Sequence, residues 1–215
     1  MNKSKNFNRL LISCVALCLA TAGIITYLVY ANDTQPLTVD LAVRDWFVSI
    51  RENFLNVIVI GLTHCGDTVT IVALCLFLLI LPNRKTYGLP VSLAAIGGVA
   101  IYKPMKHLLL RARPDEAIHL VEQGGYSFPS GHSVSSVIVY GLLLYLIRKH
   151  CKSKRLRTVL SVVCTCFMLL IGPSRLYVGV HWTTDVLCGM LIGTAVLMIV
   201  ISILERMCDK NEDLR

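Results

Sequence analysis

A chain of 215 residues would ordinarily make one soluble domain, but 55% of this one is apolar, only 16% is charged, and the mean hydropathy is +0.66. That balance excludes an ordinary soluble globule, because long apolar runs are needed where a helix crosses a bilayer, at about 20 residues each. The net charge of +8 does not point to nucleic acid, since the basic residues lie in short connectors without interleaved aromatics.

The first apolar run, Leu10 to Tyr30, follows the basic start NKSKNFNR. It is roughly twice as long as a signal-peptide core and further spans follow, so it is expected to be a retained first helix. The second run, 55–81, is irregular: Thr63, His64, Gly66 and Asp67 interrupt its first half, and Asn53 or Asp67 marks its helix start. The turn LPNRKTYGLP leads into a third span over 88–109. Spans over 131–147, 157–173 and 182–204 complete an all-α bundle of six transmembrane helices, expected to form a single membrane-embedded domain over 1–215. Gly97-Gly98 in the third span and the Gly189/Gly193 pair in the sixth are helix-packing signals. Most of the nine cysteines fall in apolar runs, where a thiol acts as a small hydrophobe; their spacing makes neither a metal site nor a disulfide framework.

Positive charge sets the expected orientation. Lys3, Lys5 and Arg9, then Arg84 and Lys85, then the run RKHCKSKRLR (148–157), then Arg206, Lys210 and Arg215 all lie on one side of a six-span arrangement. This places both termini in the cytoplasm and the loops 31–54, 110–130 and 174–181 on the outer face. Arg44 and Arg51 fall in the first outer loop, while Lys103, Lys106, Arg111, Arg113 and Arg175 form a second basic group near the outer face, against that bias.

Three polar segments meet that face. In KHLLLRARP, Lys106 and Arg113 are two helical turns apart and share a face, and Pro114 is expected to end the span. Arg111, near the helix end, is expected to snorkel to the headgroups. In YSFPSGHS, Ser130 and Gly131 open the fourth span with His132 in its first turn; a helix start offers unpaired N–H groups for an anion, and Gly131 allows close approach of a ligand. The alternative there is a serine cap beside an incidental histidine. In GPSRLYVGVHWTTDV, His181 and Asp185 are one turn apart, so the carboxylate can fix the imidazole tautomer, and Arg175 lies across a bend. Three cations, two histidines and one carboxylate favour an anion site over a cation site. Phosphate-ester hydrolysis without a metal fits this inventory best.

These segments read K-x6-R-P, P-S-G-H and S-R-x5-H-x3-D in order. The chain thereby resembles the type 2 phosphatidic acid phosphatase (PAP2) superfamily, and most of all its small bacterial membrane members, the type B phosphatidylglycerophosphatases and undecaprenyl diphosphatases. The resemblance implies His181 as nucleophile forming a phosphohistidine, His132 as acid to the leaving oxygen, and Asp185 orienting the nucleophile. It implies a phosphate-binding set of Lys106, Arg113, Ser130, Gly131 and Arg175, and no metal or other cofactor. The expected substrate is a membrane lipid phosphate, such as undecaprenyl diphosphate, phosphatidylglycerophosphate or phosphatidic acid, met at the outer face of the cell membrane. A lipid phosphotransferase would share the intermediate, and an anion transporter would share the cations. Asp115, Glu116 and Glu122 are read as ordinary loop charges.

Overall fold

The computed structural model describes residues 2–213, with side chains described for 9–208. Lys3, Lys5, Lys210 and Arg215, used in the charge count, lie outside the described side chains. Among the described residues eight α-helices follow one another: α1 (Asn2–Ala31), α2 (Thr38–Ser49), α3 (Asn53–His64), α4 (Thr68–Ile80), α5 (Gly88–Leu109), α6 (Gly131–His150), α7 (Lys154–Tyr177) and α8 (Thr183–Asp213), with one 3-10 turn at Glu116–Ile118. Five are long and apolar enough to cross a membrane, and the bent pair α3–α4 makes a sixth span if counted as one.

The second span is thus two helices bent by 50°. Both sequence marks for its start are used, Asn53 opening α3 and Asp67 preceding α4. The stretch 31–54 is not a plain loop, since it contains α2, which carries the buried Asp40.

α6 is the central helix and packs on α5, α7 and α8, while α1 lies along α8. Its side chains Val134, Ile138 and Leu142 are fully buried with Phe128 and Ile171. The outer helices instead leave apolar side chains such as Leu17, Val69, Ile80 and Leu93 exposed, the pattern of a lipid-facing surface. Three of the four packing glycines are used: a Cβ on Gly98 would meet Ile138, one on Gly189 the Ser130 carbonyl, and one on Gly193 Val137. Gly97 faces open space.

Two helix ends differ from expectation. α5 stops at Leu109, where Leu110 takes a left-handed conformation (φ 51°) and returns its N–H to the Lys106 carbonyl at 3.0 Å. Pro114 therefore does not terminate the helix. α7 runs past 173 to Tyr177 with Pro173 inside it, so Arg175 sits in its last turn rather than in the outer loop expected over 174–181, and it still lies across the bend from His181. The bend is the short segment 178–182, where Gly179 has φ 81° and an added Cβ would fall 2.6 Å from the Ile118 carbonyl oxygen. Only glycine fits there.

Candidate active site

The α7–α8 connection delivers His181, and the first turn of α8 delivers Asp185 one turn on. His181 Nδ1 lies 3.3 Å from Asp185 Oδ2. On the other side of the ring, Arg113 Nη1 is 3.2 Å from Nε2. A guanidinium carries donors only, so Nε2 must be the accepting nitrogen and the ring proton sits on Nδ1, toward the carboxylate. Burial, reinforced by the charges of Arg113, Lys106 and Arg175, holds the His181 imidazole well below its usual value, so it is neutral at physiological pH. Burial likewise pushes the Arg113 guanidinium down to about 10, against the pull of Asp185, and it remains charged.

Asp185 is fixed on every side. Its Oδ2 accepts from the Trp182 N–H at 2.9 Å and from the Ser127 hydroxyl, and its Oδ1 accepts from Arg111 Nη1 at 2.6 Å. Arg111 also bonds Asp40 Oδ2 at 2.7 Å and the Thr184 hydroxyl at 2.7 Å. All three charged side chains are completely buried. The snorkelling expectation for Arg111 is overturned. The left-handed turn at Leu110 redirects the chain, and two buried carboxylates hold the guanidinium inside more strongly than headgroup water can draw it out.

The same turn changes how Lys106 and Arg113 come together. They do not share a helical face, because α5 ends between them; both instead clasp the strand of chain before α6. Lys106 Nζ donates to the carbonyls of Tyr126 (2.7 Å) and Ser127 (3.1 Å). Arg113 donates to the carbonyls of Gly125 (2.9 Å), Tyr126 (3.1 Å) and Val180 (2.6 Å).

Arg175 Nη1 donates to the Thr63 hydroxyl at 2.8 Å and Nη2 to the Gln123 side-chain oxygen. Its Nε is buried without a partner. Ser130 is completely buried and caps α6, its hydroxyl accepting from the Ser133 N–H at 3.4 Å, while its own N–H donates to the Asp185 carbonyl at 3.0 Å. Gly131 is required for a different reason than expected: a Cβ there would meet the Tyr102 ring at 2.9 Å, so a side chain of this protein takes the close approach. His132 points to the α3–α4 break, with Nε2 2.8 Å from Asp67 Oδ1.

All eight residues singled out from sequence therefore gather around one region. Sequence reasoning missed Asp40, Arg111, Gln123, Ser127 and Thr63 as members of it. Asp67 carried a signal, a carboxylate inside an apolar run, but its partner is 65 positions away. Among the described residues, no group of three or more His, Cys, Asp or Glu is arranged to hold a metal ion.

Comparison with known proteins gives the family. The PAP2 superfamily model matches residues 87–207. Phosphatidylglycerophosphatase B of Bacillus subtilis is 33% identical over 181 residues, covering 80% of this chain and 85% of that protein. An undecaprenyl-diphosphatase of Sulfolobus acidocaldarius is 26% identical over 145 residues, covering 65% and 66%. The crystal structure of a transmembrane PAP2 type phosphatidylglycerolphosphate phosphatase from Bacillus subtilis superposes with a TM-score of 0.78 at 27% identity, over 89% of this chain and 96% of that one. The three signature segments, 106–114, 126–133 and 172–186, fall within the matched region, and the chain belongs to the PAP2 superfamily as a multi-pass membrane hydrolase related to lipid phosphatases.

Proposed function

We propose that the protein hydrolyses a phosphomonoester or diphosphate at the head of a membrane lipid, without a metal ion, through a phosphohistidine at His181. The observation that carries this reading is the His181 ring, with Nδ1 toward Asp185, Nε2 left as a lone pair, and cations around it. Nε2 attacks phosphorus, the bond from phosphorus to the lipid oxygen breaks, and His132 passes a proton to that oxygen. Water then attacks the phosphohistidine and gives its proton to His132. The P–N bond breaks, its electron pair returns to Nε2, and phosphate departs. Arg113, Arg175 and Lys106, with the N–H groups at the start of α6 beyond Ser130, supply positive charge where the equatorial oxygens become more negative. The unpartnered Arg175 Nε supports that role.

Likeness to the two curated relatives supports phosphatidylglycerophosphate or undecaprenyl diphosphate as substrate, with phosphatidic acid as a third candidate. An apolar groove of about 330 Å³ between α4, α5 and α6 begins at Thr68 and Tyr102, beside Asp67 and Gly131, and suits a lipid tail. A larger groove of about 820 Å³ between α1, α5 and α8 is lined by none of the site residues. The positive-charge bias supports cytoplasmic termini and a site on the extracytoplasmic side of the plasma membrane.

The test is phosphoenzyme trapping with labelled lipid substrate in EDTA, comparing the three candidate lipids. Wild type is expected to release phosphate and carry acid-labile label, and His181→Ala to do neither. Wild-type turnover and label in the variant would sink the nucleophile assignment.

A further inference from the structure

We propose that Asp67, backed by His64, is the positioning carboxylate of His132, so that each histidine of the reaction is held by its own aspartate; this rests on the phosphohistidine reading above. Asp67 bonds two imidazoles at once. Its Oδ1 lies 2.8 Å from His132 Nε2 and its Oδ2 lies 2.6 Å from His64 Nδ1. An ionised carboxylate only accepts, so both nitrogens carry protons and the His132 tautomer is set: Nε2–H toward Asp67, Nδ1 left for the reacting oxygen. Exposure rises outward along the chain of groups, from 14% for the His132 side chain to 34% for Asp67 and 56% for His64.

The local fold is shaped around this contact. Asp67 is the residue before α4, a position where Asp commonly caps the helix, yet its side chain caps nothing. Both oxygens go to imidazoles instead. The break that brings Asp67 to His132 closes at Gly66, where a Cβ would fall 2.8 Å from His132 Cδ2 and 2.5 Å from Ile171 Cγ2. The Thr70 hydroxyl ties back across the break to the His64 carbonyl at 2.7 Å.

The surroundings explain why a carboxylate is needed. Arg175 from α7 and Arg113 from the segment after α5 act on His132, and His181 from the α7–α8 connection lies within reach of it. Among the described residues, Asp67 is the carboxylate that bonds this ring. An imidazolium at His132 has to form beside two guanidinium groups, and Asp67 supplies the opposing charge. It holds Nε2–H through both steps, while Nδ1 first gives a proton to the leaving oxygen and then takes one from water.

Asp67→Asn keeps the size and helix-start preference of the side chain while removing its charge. The readout is the single-turnover burst of leaving group, measured by rapid quench with two substrates. Dihexanoyl phosphatidic acid releases an alcohol that needs a proton, whereas p-nitrophenyl phosphate releases a phenolate that does not. Asp67→Asn is expected to slow the alkyl burst about 100-fold, within the usual range for acid catalysis, and the aryl burst by less than about fivefold. His64→Gln is expected to slow the alkyl burst about threefold with the same selectivity, and being exposed it reports even if Asp67→Asn does not fold. A merely structural role would slow both bursts equally, and equal losses, or none, would overturn the proposal. His132→Ala distinguishes the two levels. A selective loss there without one in the Asp67 and His64 variants removes this proposal alone, and no selective loss there removes the acid assignment and this proposal with it.

Discussion

Replacing Arg111 with Met removes a cation bonded to two fully buried carboxylates, Asp40 and Asp185. Breaking a buried pair from one side costs about 3–5 kcal/mol, because the remaining charge has no water to return to. Two carboxylates are stranded here, but each keeps other donors: the Thr184 N–H at 2.9 Å and the Leu37 N–H at 3.0 Å for Asp40, and the Trp182 N–H and Ser127 hydroxyl for Asp185. Those donors hold the cost near that range rather than twice it. For a chain of this length the melting temperature in detergent should fall by about 6–20 °C. Asp40→Asn leaves the Arg111–Asp185 pair intact and should cost only about 1–3 kcal/mol. Lys103→Met, an exposed cation on α5, should cost less than about 0.5 kcal/mol. The same Arg111 variant should lower kcat more than it raises KM, since Asp185 loses a partner that holds it against His181. Melting of Arg111→Met within about 2 °C of wild type would refute the buried-clamp reasoning and restore the snorkelling view.

Other perturbations test the surrounding geometry. Because His181 stays neutral in the folded protein while the unfolded chain takes up a proton near pH 6.5, stability should fall as pH drops below 6.5 and be flat with respect to this group above it. His181→Gln should remove part of that slope in thermal melts between pH 5 and pH 6.5 (roughly one proton's worth); an unchanged slope would contradict the burial of the ring. Thr63→Val strips the Arg175 guanidinium of a hydrogen bond and should lower kcat/KM about tenfold in steady-state assays with a lipid phosphate. Gly179→Ala should destabilise by about 1–2 kcal/mol from the left-handed backbone alone, read as a lower melting temperature, with the clash at the Ile118 carbonyl adding to it.

The three signature segments were legible in sequence because each is local: one helix start, one helix end and one turn carry the residue types in fixed spacing. The helical spans were legible for the same reason, since length and hydropathy are properties of a window. What stayed hidden depends on partners far along the chain. An arginine near a helix end looks the same whether it reaches headgroups or a buried aspartate, and Arg111 is decided by Asp40, 71 positions earlier. The left-handed residue at Leu110 has no glycine to announce it, so the spacing of Lys106 and Arg113 looked helical when it was not. The fifth span, drawn to residue 173, erred in the opposite direction. A proline inside a helix usually marks its end, but α7 continues for four more residues and carries Arg175 on its last turn.

The grip of Lys106 and Arg113 on the chain before α6 is made through main-chain carbonyls at residues 125, 126 and 127, and Arg113 also holds the α7–α8 connection through the carbonyl of residue 180. Carbonyls are common to every amino acid, so the path of this segment is insulated from the identity of its side chains. A protein held this way can change the residues that greet an incoming lipid head while the cations and histidines stay in register, which separates the evolution of substrate choice from the upkeep of the chemistry.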